Sequence, residues 1–359
     1  MKILDKYIFR QFAKAFLFSS IVFVCLFMLI NMVEKLDKFM DNKLGLWDIV
    51  RYYLLSIPST FLITSPVSAL LSSILVSGRL SFSGELPAIR SAGVSMRQLL
   101  TPFFIGGALI VLINLANAWW IAPATFTKTH SFEQHYLGKK KSRQHENNNI
   151  HLLEPGSRIV SIGSIDPDRS TLSAVSIEEF LGSRLKSRMD ADAMHYDPAR
   201  KEWIMQNVSS RIFTGEQEIF SVIALKPVKL SLSPRALAEL NLQPDEMNIS
   251  RHYRYLSEKR KAGFSALERS MVKFHNKIAM PFASLIIILI GVPLSAKKKR
   301  GGLASEIAIT LFAGFLYLGL QKTIAIAGYQ GLLHPMFAAW LPNLLFLGIG
   351  YVIYKTAID

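Results

Sequence analysis

The residues that carry chemistry in this sequence are isolated charges beside long apolar runs. Lys35, Lys38 and Lys43 follow the first apolar run and alternate with carboxylates, and Lys322 stands at the start of a later charge-free run. An ammonium group is a suitable partner for a phosphate, but lysines at the end of an apolar run also reach a membrane interface without binding a ligand. A charge within an apolar region either faces a cavity or marks the boundary of the region. Both interpretations remain open for Lys322.

The sequence indicates no catalytic site. It has no glycine-rich nucleotide-binding loop of the Walker type, no His-Glu-x-x-His pattern and no Cys-x-x-Cys pair. Its one cysteine, Cys25, cannot form an internal disulfide. Four of the eight histidines lie between positions 130 and 151, at spacings that do not favour a metal site. We therefore predict a protein that is not an enzyme and that needs no cofactor and no metal.

The elements that must position these charges are membrane-spanning helices. About 20 apolar residues cross the hydrocarbon of a bilayer, and five stretches near or above that length contain no charged residue: 15–33, 52–78, 98–127, 278–296 and 323–354. A fifth helix is predicted over 303–328 and a sixth over 337–354, with a turn between them, which makes six spans. The net charge of +15 does not indicate nucleic-acid binding, because the basic residues cluster at the ends of the apolar stretches.

The middle of the chain, residues 128–250, has a different pattern. Polar and apolar residues alternate over 157–162 and 222–232, and two further strands are predicted over 171–180 and 201–208. Asp-Pro pairs at 166–167 and 197–198 are typical of turns. These features predict an all-β sandwich or roll over 128–250. It is inserted between three helices in 1–127 and a connecting helix with three more spans in 251–359.

Six spans place both termini on the same side of the membrane. The basic residues of the first 14 positions, of 79–97 and of 297–300 then share that side, which the positive-inside rule makes the cytoplasm. The inserted domain is predicted to lie outside. The basic run at 139–143 would also lie outside, against the rule, although long translocated domains largely escape it.

Several local patterns, in this order along the chain, resemble the lipopolysaccharide export permeases of the LptF/LptG family. They are Leu4-Asp5-Lys6-Tyr7-Ile8, Ser56-Ile57-Pro58, Glu85-Leu86, Ala92-Gly93-Val94-Ser95, Trp120-Ile121-Ala122-Pro123, the entry to the fourth span from Lys277 to Pro281, and Ala339-Trp340-Leu341-Pro342-Asn343. The resemblance covers nearly the whole chain. The opening and the segment from Tyr255-Leu256 to Gly263 are more similar to the G-type member than to the F-type member.

The resemblance implies a periplasmic β-jellyroll domain that continues a periplasmic bridge protein. It implies a homologous second permease subunit and an ATPase dimer of the ABC class on the cytoplasmic face of the inner membrane. It also implies that a short helix near 84–95 couples to that ATPase through Glu85, Leu86, Ile89 and Arg90. Lys35, Lys38, Lys43 and Lys322 are the expected lipid-binding residues. For the three lysines after the first span, binding of lipid phosphates and simple interface anchoring remain equally open.

The predicted function is therefore that of a permease subunit in an ATP-driven exporter, which extracts lipopolysaccharide from the inner membrane and passes it to a periplasmic bridge. Two alternatives remain. An ion-coupled secondary transporter would show internal repeats and several ionisable groups within the membrane. A membrane anchor for the outer domain would need only one span rather than six.

Overall fold

The computed structural model describes residues 3–137, 148–154, 157–166, 171–182, 184–200, 202–214, 217–230, 242–261, 267–296 and 302–358. The chain divides into two units, each with its own hydrophobic core. The helical unit comprises Met1–Leu137, Pro244–Ile249 and Glu268–Asp359, and the β unit comprises Gly138–Gln243 and Ser250–Leu267. The basic runs at 139–143 and 297–300 lie outside the described residues.

The described residues form nine α-helices: α1 (Ile3–Asp41), α2 (Leu46–Phe82), α3 (Glu85–Ser91), α4 (Met96–Ala116), α5 (Ala122–Phe132), α6 (Ile249–Lys261), α7 (Glu268–Ala296), α8 (Gly302–Tyr329) and α9 (Pro335–Ile358). Two π-helical turns, Asn117–Ile121 and Glu133–Leu137, continue α4 and α5 as one helical segment. Within the described ranges, six helical segments are long and apolar enough to cross a membrane: α1, α2, α4 with α5, α7, α8 and α9. The predicted bundle of six membrane helices is thereby confirmed.

Some of these helices are much longer than the membrane is thick. α1 has 39 residues, which at 1.5 Å per residue give about 60 Å, roughly twice the thickness of the hydrocarbon. The segment of α4 and α5 ends at Leu137 rather than near 127, because polar residues remain helical beyond the apolar run. Residues 128–137 are therefore helical and belong to the helical unit, not to the β domain.

Successive spans run in opposite directions, so the helix ends gather in two groups. The α3 end contains the start of α1, the helix α3 and the end of α9, and Tyr7 on α1 donates a hydrogen bond to Glu85 on α3 there. The Lys35 end contains the α1–α2 turn, the end of α5, the start of α7 and the α8–α9 turn. At that end Tyr52 on α2 donates a hydrogen bond to Glu133 beyond α5.

Hydroxyl side chains line the buried face of α2, which we call the serine seam. Its members are fully buried: Thr64, Ser65, Ser68, Ser72, Ser73 and Ser77. Ser68 Oγ donates to the Thr64 carbonyl over 3.1 Å, and Ser72 Oγ donates to the Ser68 carbonyl over 2.6 Å. Because such small, self-satisfied side chains allow close approach, α7 packs directly on the seam, and Ser295 of α7 hydrogen-bonds to Ser77.

Two prolines, Pro58 and Pro66, lie inside α2. Pro66 has no N–H to donate to the Leu62 carbonyl, and Ser65 Oγ donates to that carbonyl instead over 3.3 Å. The carbonyl of Pro58 accepts a bond of 2.8 Å from Asn117 Nδ2, at the first π-helical turn. The Ser65 hydroxyl thus replaces the donor that Pro66 lacks, as a membrane interior requires, and the Asn117 bond ties the π-helical turn to α2.

A buried asparagine ties together three of the last helices. Asn343 on α9 is 2% exposed. Its Nδ2 donates to the Ala279 carbonyl on α7 over 2.7 Å, and its Oδ1 accepts from Tyr317 Oη on α8 over 2.9 Å. The Trp-Leu-Pro-Asn segment of the sixth span therefore has a packing role in this chain.

The β unit contains one six-stranded antiparallel sheet in which each strand pairs with the next along the chain. The strands are β1 (Asn148–Glu154), β2 (Arg158–Asp166), β3 (Thr171–Leu181), β4 (Arg184–Asp197), β5 (Glu202–Thr214) and β6 (Gln217–Val228). This confirms the predicted all-β insert, and the described strands pair as a meander. The sequence did not indicate β1 or β4, and the predicted strand residues 231 and 232 lie outside the described part. Helix α6, which was grouped with the later spans, falls within the β unit.

One row of residues across the sheet takes no part in the pairing, and we call it the crease row. It comprises Asn149, Gly163, Ala174, Asp192, Asn207 and Ala224. Ala174 and Asn207 have φ of 52°, in the left-handed region. A Cβ on Gly163 would lie 2.8 Å from the Cβ of Ala174, so the two backbones approach closely at the row.

On β3 and β5, the alternation of buried and exposed side chains shifts by one residue at the crease row. On β3, Leu172 is buried before the row, and Val175 and Ile177 are buried after it. On β5, Met205 is buried before the row and Val208 after it. Side chains of a regular strand alternate between faces, so one additional left-handed residue shifts the alternation and bends the strand, as a bulge does. Both halves of the sheet consequently contribute to one core.

Helix α1 ends in a left-handed residue that is not glycine. Beyond Asp41, Lys43 has φ of 51°. Its N–H donates to the Met40 carbonyl over 3.0 Å, and the N–H of Leu44 donates to the Phe39 carbonyl over 3.1 Å. These two hydrogen bonds together form the Schellman motif, in which glycine is the favoured left-handed residue.

Replacing Lys43 with glycine is therefore expected to stabilise the chain by about 1 kcal/mol, because a side chain in the left-handed region is strained. Thermal unfolding of the purified chain in detergent measures the effect as a rise in midpoint temperature. The matched control is Lys38→Gly, in the interior of the same helix, which should lower stability by about 1 kcal/mol. A fall in midpoint for both variants would contradict the assignment of Lys43 as the helix-ending residue.

Candidate functional site

Helix α3 lies in the interval where the resemblance predicts coupling to an ATPase. Glu85 begins the helix and is half-buried, and its carboxylate accepts hydrogen bonds from Tyr7 Oη at 3.2 Å and from Ser83 Oγ at 3.0 Å. Arg90, in the last turn, is exposed, and Ile89 is half-buried. A carboxylate and a guanidinium thus stand near the two ends of a short surface helix at the α3 end.

Leu86 differs from the other three predicted coupling residues. It is 2% exposed and belongs to the largest core cluster, with Ile8, Leu80 and Met96. This side chain fixes α3 to α1, α2 and α4. Glu85 and Arg90 are accessible to a partner, whereas Leu86 is placed to carry a displacement of α3 into the bundle. The coupling role of all four residues remains a prediction.

At the Lys35 end, Lys35 is held by two side chains from other helices. Its ammonium donates to Tyr52 Oη over 2.5 Å and to the carboxylate of Glu133, which also accepts a bond of 2.5 Å from Tyr52 Oη. The side chain of Lys35 is 20% exposed and that of Glu133 is 37% exposed. This trio, which we call the Lys35 clasp, joins α1, α2 and the second π-helical turn. A phosphate that bound Lys35 would therefore meet a carboxylate already in place.

The other predicted lipid-binding lysines have different surroundings. Lys38 and Lys43 are both exposed, and Lys43 ends α1 as described above. Lys322 is exposed on α8, seven residues before the end of that helix at Tyr329, which is about 10 Å along the axis. It borders a cavity of the helical unit. Lys322 is therefore both near the Lys35 end of its helix and beside a cavity, so the two interpretations of this residue are compatible.

Tyr52 and Glu133 are not among the site residues predicted from the sequence. Glu133 is the first carboxylate after Glu85, 48 positions later, and counting spans places it at the same end of the bundle as Lys35. An isolated acid at the end of the third span was therefore an available signal. No sequence signal indicated Tyr52, because its hydroxyl follows from the packing of α1 on α2.

Comparison with known proteins agrees with this architecture. The model of the family described as "Lipopolysaccharide export system permease LptF/LptG" matches residues 6–356. The chain is 24% identical over 349 residues to the lipopolysaccharide export system permease protein LptG of Escherichia coli (strain K12), covering 96% of this chain and 95% of that protein. It is 22% identical over 348 residues to the LptG protein of Haemophilus influenzae, covering 96% of both chains.

The similarity extends to the other member of the pair. Over 370 residues the chain is 20% identical to the lipopolysaccharide export system permease protein LptF of Escherichia coli (strain K12), covering 98% of this chain and 94% of that protein. The family match spans all six membrane helices and the inserted sheet. The chain belongs to the LptF/LptG family of lipopolysaccharide export system permeases.

Proposed function

We propose that this chain is the non-catalytic permease subunit of an ATP-driven exporter that extracts lipopolysaccharide from the inner membrane and passes it to a periplasmic bridge protein. Its partners are a homologous second permease subunit and an ABC-class ATPase dimer. The geometry of α3 carries the proposal, since a short helix with an exposed surface is fixed to the bundle core through Leu86. Such an element can receive a displacement from outside and pass it to the spans.

The physics of lipid extraction supports a separate energy source. Each buried methylene contributes about 0.8 kcal/mol, so moving a lipid with several acyl chains out of the bilayer requires tens of kcal/mol. The sequence has no nucleotide-binding loop of the Walker type. ATP hydrolysis is therefore assigned to the partner, and apolar surfaces must cover the lipid at every stage.

We assign the α3 end to the cytoplasm, together with both termini, and the β unit to the periplasm. The basic residues at positions 2–14 and 79–97 support this orientation, because lysine and arginine accumulate on the cytoplasmic side of membrane spans. On this assignment Glu85 and Arg90 face the ATPase, and the Lys35 clasp lies at the periplasmic surface, where lipid phosphates arrive.

In the proposed mechanism, ATP binding closes the ATPase dimer and displaces α3. Leu86 transmits that displacement to Ile8 on α1 and Leu80 on α2, which share its core cluster. The bundles of the two permease subunits then narrow around the lipid and expel it towards the β unit.

Glu85→Ala is expected to weaken co-purification of the ATPase, because it removes the half-buried carboxylate at the start of α3. The measurement is a pull-down from detergent-solubilised membranes, with the bound proteins identified by mass spectrometry. Loss of one charged partner at an interface corresponds to roughly a tenfold or larger loss of affinity. Glu34→Ala, an exposed glutamate at the opposite end of α1, is the matched control and should leave the complex unchanged.

Two results would contradict the proposal at different levels. Equal ATPase recovery with Glu85→Ala would reject the contact at Glu85. Absence of an ABC-class ATPase from every preparation, wild type included, would reject the exporter and favour an ion-coupled transporter or a membrane anchor.

A further inference from the structure

The helical unit contains a cavity of about 490 Å³ near the Lys35 end. Residues from α2, α5, α7 and α8 line it, together with Asp245 in the short 3-10 turn Pro244–Glu246. Four of the lining side chains are cationic and one is a carboxylate: Arg269, Lys273, Lys277 and Lys322 oppose Asp245. The excess of positive charge indicates an anionic ligand.

Three of the cations form a column on one face of α7. Arg269, Lys273 and Lys277 are spaced by four residues, so their side chains are neighbours about 5–6 Å apart on the helix surface. Like charges at this spacing destabilise a helix. A ligand that places a negative charge beside the column removes that repulsion, and a phosphate accepts hydrogen bonds from several ammonium and guanidinium groups together.

The contacts of the column leave room for a ligand. Lys273 pairs with Asp245, and Lys277 donates to the carbonyls of Pro244 and Met247, at 2.8 Å for Pro244. Arg269 lies over the ring of Tyr329, 5.8 Å from its centre, and lines the cavity. Asp245 thus occupies the place beside Lys273 that a phosphate would take.

Other lining groups distinguish a lipid head group from a free ion. Asn276 Oδ1 is buried and has no hydrogen-bond partner among the described residues, so it requires a donor such as a hydroxyl group. Met280, Leu62 and Ile63 line the cavity further from the helix end. The cavity is therefore cationic where α7 enters the membrane and apolar towards the charge-free part of that helix, which begins at 278.

We propose that this cavity is a second lipid-phosphate site, separate from the Lys35 clasp, which binds a phosphorylated sugar head group between the α7 column and Lys322, with Asp245 as its internal competitor. The proposal rests on the proposed lipid export function and adds a subsite to it. The phosphate bridges Arg269, Lys273 and Lys322. A sugar hydroxyl donates to Asn276 Oδ1, and an acyl chain extends along Met280.

The test uses the full chain, purified with the proteins that remain bound to it and placed in nanodiscs of phosphatidylcholine. Native mass spectrometry counts bound lipid after titration with bis-phosphorylated lipid A, with dephosphorylated lipid A or with inorganic phosphate. Lys273→Gln and Arg269→Gln are each expected to reduce binding of the phosphorylated lipid about tenfold, the loss of one charge-assisted bond. Asp245→Asn should increase it, because the competing carboxylate is lost. Lys355→Gln, exposed at the α3 end, is the matched control and should bind as wild type.

A second measurement does not depend on how well the substituted chains fold. A photo-crosslinking amino acid at Met280, inside the cavity, should capture lipopolysaccharide in intact cells, whereas one at Leu112, exposed on α4 away from the cavity lining, should not. Equal binding of dephosphorylated lipid, wild-type binding by Lys273→Gln, or full competition by inorganic phosphate would each overturn the site. If Lys35→Gln reduces lipid binding while the α7 variants do not, the export function stands and this site falls. If no preparation binds lipid A, the proposed function itself falls.

Discussion

Gly291→Val is expected to prevent recovery of folded chain from the membrane. A Cβ at this position of α7 would lie 2.1 Å from Ser73 Oγ, 3.1 Å from Leu70 Cδ1 and 3.3 Å from Ile74 Cγ1, all on α2. These side chains belong to the best-buried part of the bundle, so neither helix can move aside without opening the core. Overpacking of this kind destabilises by about 3 kcal/mol, at the upper end of the usual range.

The measurement is the fraction of chain that elutes as a single species in size-exclusion chromatography after solubilisation, together with its thermal midpoint. Gly319→Val, on α8, is the matched control, because no atom lies within 4 Å of a Cβ placed there. Its midpoint should match that of wild type. A Gly291→Val chain with a wild-type midpoint would show that α2 and α7 are not in the close contact described for the serine seam.

Deletion of Asn207 is expected to unfold the β unit. Asn207 is the left-handed residue of β5 in the crease row, between buried Met205 and buried Val208. Without it, Met205 and Val208 stand two residues apart and a regular strand keeps both on the buried face, but β5 then has one residue fewer than the bend requires, opposite the crease residues Asp192 of β4 and Ala224 of β6. A straight β5 can match its bent neighbours on only one side of the row, so the backbone pairing and the packing of Val208 and Ser210 in the core are lost on the other side.

Limited proteolysis of the full chain measures this effect, since an unfolded β unit is cut within the strands. Asn207→Gly is the control, because it retains the residue count and the left-handed backbone while losing the bond of 3.1 Å from Asn207 Nδ2 to Asp192 Oδ2. This variant should resist protease nearly as well as wild type. Equal resistance of the deletion variant would contradict the role assigned to the crease row.

The membrane helices were predictable because a single physical requirement defines them. Charge is excluded from the hydrocarbon. Four of the five charge-free stretches fall within one observed helical segment each, and the fifth, 323–354, covers the end of α8, the turn that was predicted there and most of α9. The ends were less predictable. α1 and α5 continue well past their apolar parts, since nothing in the polar flanks, such as proline, stops a helix there.

The sheet was predictable only in part. β2 and β3 have alternating apolar segments. β4 contains six charged residues, five of them at every second position from Arg184 to Asp192, but small or polar residues fill several of the positions between them, so the apolar signal of a strand is weak. The crease row also hides the pattern, because a phase change in mid-strand weakens any signal that depends on a period of two. The available indication of the crease row in the sequence was the spacing of three residues between Leu172 and Val175, where a regular strand would place its apolar residues two apart.

The candidate sites depended on contacts that no local pattern reveals. Lys35 was identified from its position after the first span, but its partner Glu133 lies 98 residues away. The α7 column is visible in the sequence as three cations spaced by four, yet its meaning comes from the facing Lys322 and Asp245. The sequence shows how far along each helix a charged residue lies, but tertiary packing determines which charged residues are in contact.

The serine seam determines how strongly α2 and α7 resist sliding along each other. Ridges of large side chains interlock with the grooves of a neighbouring helix and resist axial movement. Along the seam the hydroxyls of Ser68 and Ser72 bond to their own helix, which leaves a shallow surface against α7. Few side chains of α7 are therefore locked into grooves of α2, and the hydrogen bond between Ser77 and Ser295 is the contact that an axial shift of α2 would have to break. Because α2 leads through two residues into α3, such a shift would also move α3.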